Sequence, residues 1–171
     1  LYSANPSTNF TDEEMWQGTD NSTGLGYWVE LGGSYGWPNG ATRYWFWADN
    51  RPNGGGYHAH YPGGTLSLGV YYGLEVIYDG ANKWTALGPA WSGTSTGNPA
   101  SGRALEAGAE ITDNVAHAVG HVNVLYRFDT SYDTIRGWSG GAIPIPNPPV
   151  TSVYWVSSAH NDLDWSTGSC S

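Results

Sequence analysis

The chain has 171 residues, the span of a single domain, and can bury roughly two-thirds of its unfolded surface without disulfide or metal support. Only 12% of residues are charged, against a usual quarter or so, while Gly (25), Tyr (12) and Trp (10) are over-used, which excludes coiled coil, helical bundle and charged disordered tail. Six basic against fifteen acidic residues give a net charge of -9, which would repel phosphate backbones and anionic lipid, so neither nucleic acid nor a membrane surface is expected as partner.

From the N-terminus onward, Leu1-Tyr2-Ser3-Ala4-Asn5-Pro6 lacks a charged-then-apolar signal segment, and no apolar run nears the roughly 20 residues of a membrane helix. A soluble, already processed, single domain over residues 1–171 is expected. Alternating segments then recur roughly every ten positions, parted by Gly, Pro, Asn and Asp, with no apolar 3.6-residue stripe. Strands are predicted at 24–32, 41–49, 56–61, 68–79, 83–87, 103–112, 115–128 and 150–160. Turns are predicted at Pro38-Asn39-Gly40, Arg51-Pro52-Asn53-Gly54 and Asp79-Gly80. Asp113-Asn114 reads as a tight hairpin joining two antiparallel neighbours. Residues 142–149, with Pro144, Pro146, Pro148 and Pro149, read as an extended connector. The fold class expected is all-β, an antiparallel two-sheet β-sandwich.

Side-chain alternation sorts the chemistry. Around Glu30, Tyr27, Val29 and Leu31 share one face and Trp28 and Glu30 the other; around Glu110, Leu105, Ala107, Ala109 and Ile111 oppose Glu106, Gly108, Glu110 and Thr112. In the next strand Arg43, Trp45 and Trp47 line one side and Tyr44 and Phe46 the other. Gly32, Gly33 and Gly108 leave room above the backbone beside Glu30 and Glu110, and two such glutamates suit a general acid and a general base. Solvated residues of a one-sided sheet would give the same pattern, and Glu106 and Glu75 are equally eligible on alternation alone. Trp28, Trp45, Trp47 and Tyr57 are the expected walls of a cleft.

Val29-Glu30-Leu31-Gly32, then Thr42-Arg43-Tyr44-Trp45-Phe46-Trp47, Gly55-Gly56-Tyr57-His58-Ala59-His60-Tyr61-Pro62-Gly63, Leu74-Glu75-Val76-Ile77-Tyr78-Asp79 and Ala107-Gly108-Ala109-Glu110-Ile111 follow one another in an order that resembles the neprosin-like glutamic peptidases. The likeness spans about Gly26 to Ile111. It implies a β-sandwich with two catalytic glutamates on a concave face, at Glu30 and Glu110, with Glu106 as the less favoured register for the second. It also implies a secreted, acid-acting endopeptidase for polypeptides, with a preference near proline and without metal or other cofactor; a monomer is expected. The chain departs from the family where Gly56 and Tyr61 replace an expected cysteine pair and where Gly33 and Ala107 replace tryptophans, which opens the groove.

Other chemistries stand beside this one. His58 and His60 alternate onto one face, as do His117 and His121, but neither pair has a third ligand spaced to complete a metal site. Cys170 lies at the end of the chain and there is no Gly-x-Ser-x-Gly elbow, so cysteine and serine nucleophiles are disfavoured. Ten tryptophans suit sugar stacking equally well, so a carbohydrate-binding or lectin-like sandwich is the alternative from another class, and a two-glutamate glycoside hydrolase a third. Lys83 is the sole lysine, which leaves few trypsin sites and suits an acidic, proteolytic surrounding. Sequons at Asn9 and Asn21 would admit glycosylation in a secretory route.

Overall fold

A computed structural model describes residues 6–19, 26–52 and 56–99, and the strand residues 105–111, 119–123, 127–128, 135–136, 150–155 and 162–167. In chain order the strands are β1 (Phe10–Gly18), β2 (Trp28–Gly36), β3 (Arg43–Arg51), β4 (Gly56–His60), β5 (Glu75–Gly80), β6 (Lys83–Gly88), β7 (Trp91–Thr96), β8 (Leu105–Ile111), β9 (Val119–Asn123), β10 (Arg127–Phe128), β11 (Ile135–Arg136), β12 (Val150–Trp155) and β13 (Asp162–Thr167). No helix occurs among the described residues. The protein is all-β, built on a five-stranded antiparallel sheet in the order β4-β3-β2-β1-β8 and a three-stranded antiparallel sheet β5-β6-β7. Strands β12, β13 and β9 form a further three-stranded sheet, and β10 and β11 a short ribbon.

The two first-named sheets pack face to face because period-two alternation puts oily side chains on one side of each. Val29, Leu31 and Trp47 from the larger sheet meet Trp84 and Ala86 of β6, with Met15, Leu74, Val76, Tyr78 and Trp91 around them. Trp47 lies so close to β7 that a Cβ on Gly93 would overlap its indole, so the sheets approach to this distance only because residue 93 has no side chain. A buried polar network closes one end: the Thr19 hydroxyl donates to Asn98 Oδ1 at 3.1 Å, and Asn98 Nδ2 donates to Ser95 Oγ at 2.9 Å. All three side chains are fully buried and each finds a partner, as burial without penalty requires.

Most strands begin or end within a few residues of the expected positions, but three differences matter. The segment expected as a strand from Leu68 onward is irregular until Glu75, with Gly69 at positive φ where extended pairing breaks down. The segment expected over 115–128 is divided between β9 and β10. Strands β1, β7 and β13 were not legible: Asp12-Glu13-Glu14 and Ser92-Gly93-Thr94-Ser95 are poor in the branched residues that mark strands, and β1 carries carboxylates on both faces. The Asp113-Asn114 turn and the proline-rich connector lie outside the described residues.

Glu13 is the carboxylate of β1 that shares the inner face with Met15, opposite Gly33 on β2 and Ala109 on β8. Burial holds its carboxyl above the ordinary value of 4.5. Its protonated form therefore favours the fold below that value, and the benefit is lost as pH rises through the raised folded value. Glu13→Gln, which removes the charge and keeps the shape, is expected to raise the melting temperature at pH 7 and to leave it unchanged below about pH 4.5; calorimetry at both pH values checks the sign.

Candidate active site

The opposite face of the five-stranded sheet carries the polar chemistry. Directly opposed residues of an antiparallel pair share a face, and the register therefore defines rows across the sheet. One row runs Glu106 on β8, Trp16 on β1, Glu30 on β2, Ala48 on β3 and Ala59 on β4. The next runs Gly108, Glu14, Gly32 and Phe46, and the third Glu110, Asp12, Ser34 and Tyr44. Asp12, Glu14 and Glu30 thus occupy one face of two adjacent strands, and Glu106 and Glu110 stand at the corresponding register positions of β8.

A cavity of about 430 Å³ opens on this face. Glu30 and Asp12 line it and are only 8% and 6% exposed, while Tyr44, Phe46 and Ala48 form a small apolar cluster beside them. Trp28 and Tyr57 stand along Glu30, their rings 6.4 Å apart, with Trp16 5.7 Å from Trp28 on the other side. Tyr57 is 55% exposed overall, yet its hydroxyl end is desolvated and hydrogen-bonded to Glu30; burial first, and the adjacent carboxylate second, push the phenol well above its usual range. It stays a neutral donor aimed at Glu30. At the far end the Tyr44 hydroxyl donates to the Trp37 carbonyl at 2.6 Å, and burial pushes that phenol up to about 12, with the Ser34 hydrogen bond opposing and nearby Tyr61 and Asp12 adding to the rise. The bond ties the β2–β3 turn, with Trp37 and Pro38, down onto the cavity.

Of the residues expected at the site, Glu30, Trp28 and Tyr57 come together at this cavity. Trp45 and Trp47 do not. They oppose Gly33 and Leu31 on β2, residues of the inner face, so both rings point between the sheets, away from Glu30. Trp45 packs edge-on to Tyr72 at 4.8 Å and Trp47 lies flat on His60 at 4.0 Å, and their exposures of 4% and 8% are those of core residues. Their parity within the strand was legible in the sequence; that the same parity belonged to the inner sheet face was not.

The two candidates for a second glutamate differ in register. Glu106 shares the row of Glu30, two strand spacings away, or roughly 10 Å between backbones. Glu110 lies four residues farther along β8, displaced by a further ~13 Å in the strand direction. Glu14, opposite glycines on both sides, sits between the two rows. The glycines have different reasons: no neighbour lies within 4 Å of a Cβ at Gly108, which opens space, whereas a Cβ at Gly32 would run into the β1 backbone at Glu13. Gly32 lets β1 approach, and β1 brings Asp12, Glu14 and Trp16 to the site. Sequence reasoning missed those three because β1 itself was missed, although their i, i+2 spacing was visible.

Histidines 58 and 60 oppose Asp49 and Trp47 on the inner-face parity, away from Glu30, and no group of three metal-binding side chains occurs among the described residues. His121 stands opposite Asp164 on β13, while His117 and Cys170 lie outside the described residues. Glu75 is exposed on β5 of the other sheet. Comparison of the chain with protein-family models, with curated proteins and with solved structures finds no match.

Proposed function

We propose that this chain is a secreted, metal-independent glutamic endopeptidase that hydrolyses polypeptides at acid pH. The observation that carries the reading is a buried glutamate, Glu30, at an open cavity, hydrogen-bonded by Tyr57 and sharing a row of the sheet with Glu106. The two backbones lie roughly 10 Å apart with Trp16 of β1 between them in the row, so a water and peptide group shared by the pair would lie above the Trp16 side chain. Register supports Glu106 rather than Glu110 as the partner. The phenol supports Glu30 as the base, since a donor binds an ionised carboxylate more strongly than a neutral acid.

In the proposed cycle the Glu30 carboxylate takes a proton from a water that attacks the scissile carbonyl carbon. Protonated Glu106 donates a hydrogen bond to the developing oxyanion, then its proton to the departing amine nitrogen as the C–N bond breaks, and the proton held by Glu30 restores the pair. Trp28 and Tyr57 hold the substrate strand against the sheet. The scarcity of lysine supports residence in an acidic, proteolytic medium, and the resemblance set out above supports secretion and action near proline.

The cycle requires one carboxylate ionised while the other is protonated. Below the first macroscopic pKa the base is lost; above the second, the acid is lost. Hydrolysis of a denatured, proline-containing protein assayed from pH 2 to 8 is expected to give a bell with its maximum at about pH 3 to 5, indifferent to serine, cysteine and metal inhibitors. A maximum above pH 7, inhibition by any of these reagents, or no hydrolysis at any pH overturns the reading.

A further inference from the structure

The part of the cavity beyond Glu30 is not accounted for by the hydrolytic pair. Asp12, Ser34 and Tyr44 form its floor in one row across β1, β2 and β3. Tyr44 and Tyr61 meet edge to face with centroids 5.5 Å apart, and Trp37, 52% exposed, overhangs from the β2–β3 turn. Among the described residues no Lys, Arg or His lines the cavity. It therefore combines aromatic faces with two nearly buried carboxylates, Asp12 and Glu30, in a chain of net charge -9.

An uncharged apolar side chain seated there would desolvate the Asp12 and Glu30 carboxyls further and bring no opposite charge of its own. A cation gains both the carboxylate at short range and the negative faces of the rings, and these terms strengthen as water is excluded. The Tyr44 hydroxyl is already committed to the Trp37 carbonyl, so its ring contributes its face rather than a competing donor. We propose that this end of the cleft is a subsite for a cationic side chain, lysine or arginine, of the bound polypeptide. The proposal rests on the reading of the cleft as a peptide-binding site and adds to it the charge class of one substrate residue.

The test is a binding measurement on the full chain at pH 6, followed by calorimetry, with Nα-acetyl-lysine methylamide and the near-isosteric Nα-acetyl-norleucine methylamide as probes. The lysine probe is expected to bind at least about tenfold more tightly, with the advantage shrinking as salt is raised. Asp12→Asn, which keeps the side-chain shape, is expected to bring the two probes to within about twofold. Equal binding of both probes by the unaltered chain overturns the subsite, with no variant needed; so does an advantage that survives Asp12→Asn. Hydrolysis of protein substrate without lysine preference removes the subsite and leaves the peptidase. Lysine preference without hydrolysis removes the peptidase and leaves a cation-binding cleft.

Discussion

Glu30→Gln is expected to lower peptide hydrolysis by a factor on the order of 10² to 10⁴ while leaving the melting temperature nearly unchanged. The side chain is 8% exposed and hydrogen-bonded by Tyr57; the amide fills the same volume and its oxygen can accept from the phenol, so packing survives. An amide cannot take a proton from water at any working pH, so the loss should fall on kcat rather than on KM. Glu106→Gln is expected to cause a loss of similar size, and Glu110→Gln a much smaller one, because only Glu106 shares the row of Glu30. Steady-state kinetics on the three variants, each checked for folding by near-ultraviolet circular dichroism, decides the pairing. Full activity in Glu30→Gln would remove the mechanism, and a greater loss for Glu110→Gln than for Glu106→Gln would return the second role to Glu110.

Trp47→Ala is expected to destabilise the fold by about 3 to 5 kcal/mol, the range for removing a buried aromatic side chain. For a chain of this size that corresponds to a fall in melting temperature of roughly 10 °C. The indole lies between Leu31, His60 and the β7 backbone at Gly93, contributing nothing to the cavity around Glu30. A cleft-wall role would give the reverse result, a raised KM at unchanged stability. Thermal unfolding and KM measured on the same preparation separate the two. Tyr57→Phe provides the contrast: it removes the donor to Glu30 from a half-exposed ring and is expected to reduce activity with little change in melting temperature.

How far the molecule can be read from its residues depends on which neighbours decide each feature. The all-β class was legible because alternation and turn chemistry are local: the pleat turns successive side chains to opposite faces, and Gly, Pro, Asn and Asp break the run wherever it must turn. The pairing of Trp28 with Glu30 on one face and of Trp45 with Trp47 on another is local in the same sense. Strand β1 was hidden because its stability comes from ladders to β2 and β8 on both sides rather than from its own composition, which places Asp12, Glu13 and Glu14 in a row.

Composition and alternation alone were enough to specify an all-β antiparallel sandwich, an acidic chain and a glutamate on the aromatic side of a strand. Long-range contacts were needed for the rest. A strand pattern has two faces and no label saying which one meets a second sheet, and here the answer came from Gly93, whose missing side chain lets Trp47 pack inward. Nor does it state register: a shift of four residues along β8 exchanges Glu110 for Glu106 in the row of Glu30, and that choice is made by the hydrogen-bond ladder through β1, a strand about ninety residues away in the chain.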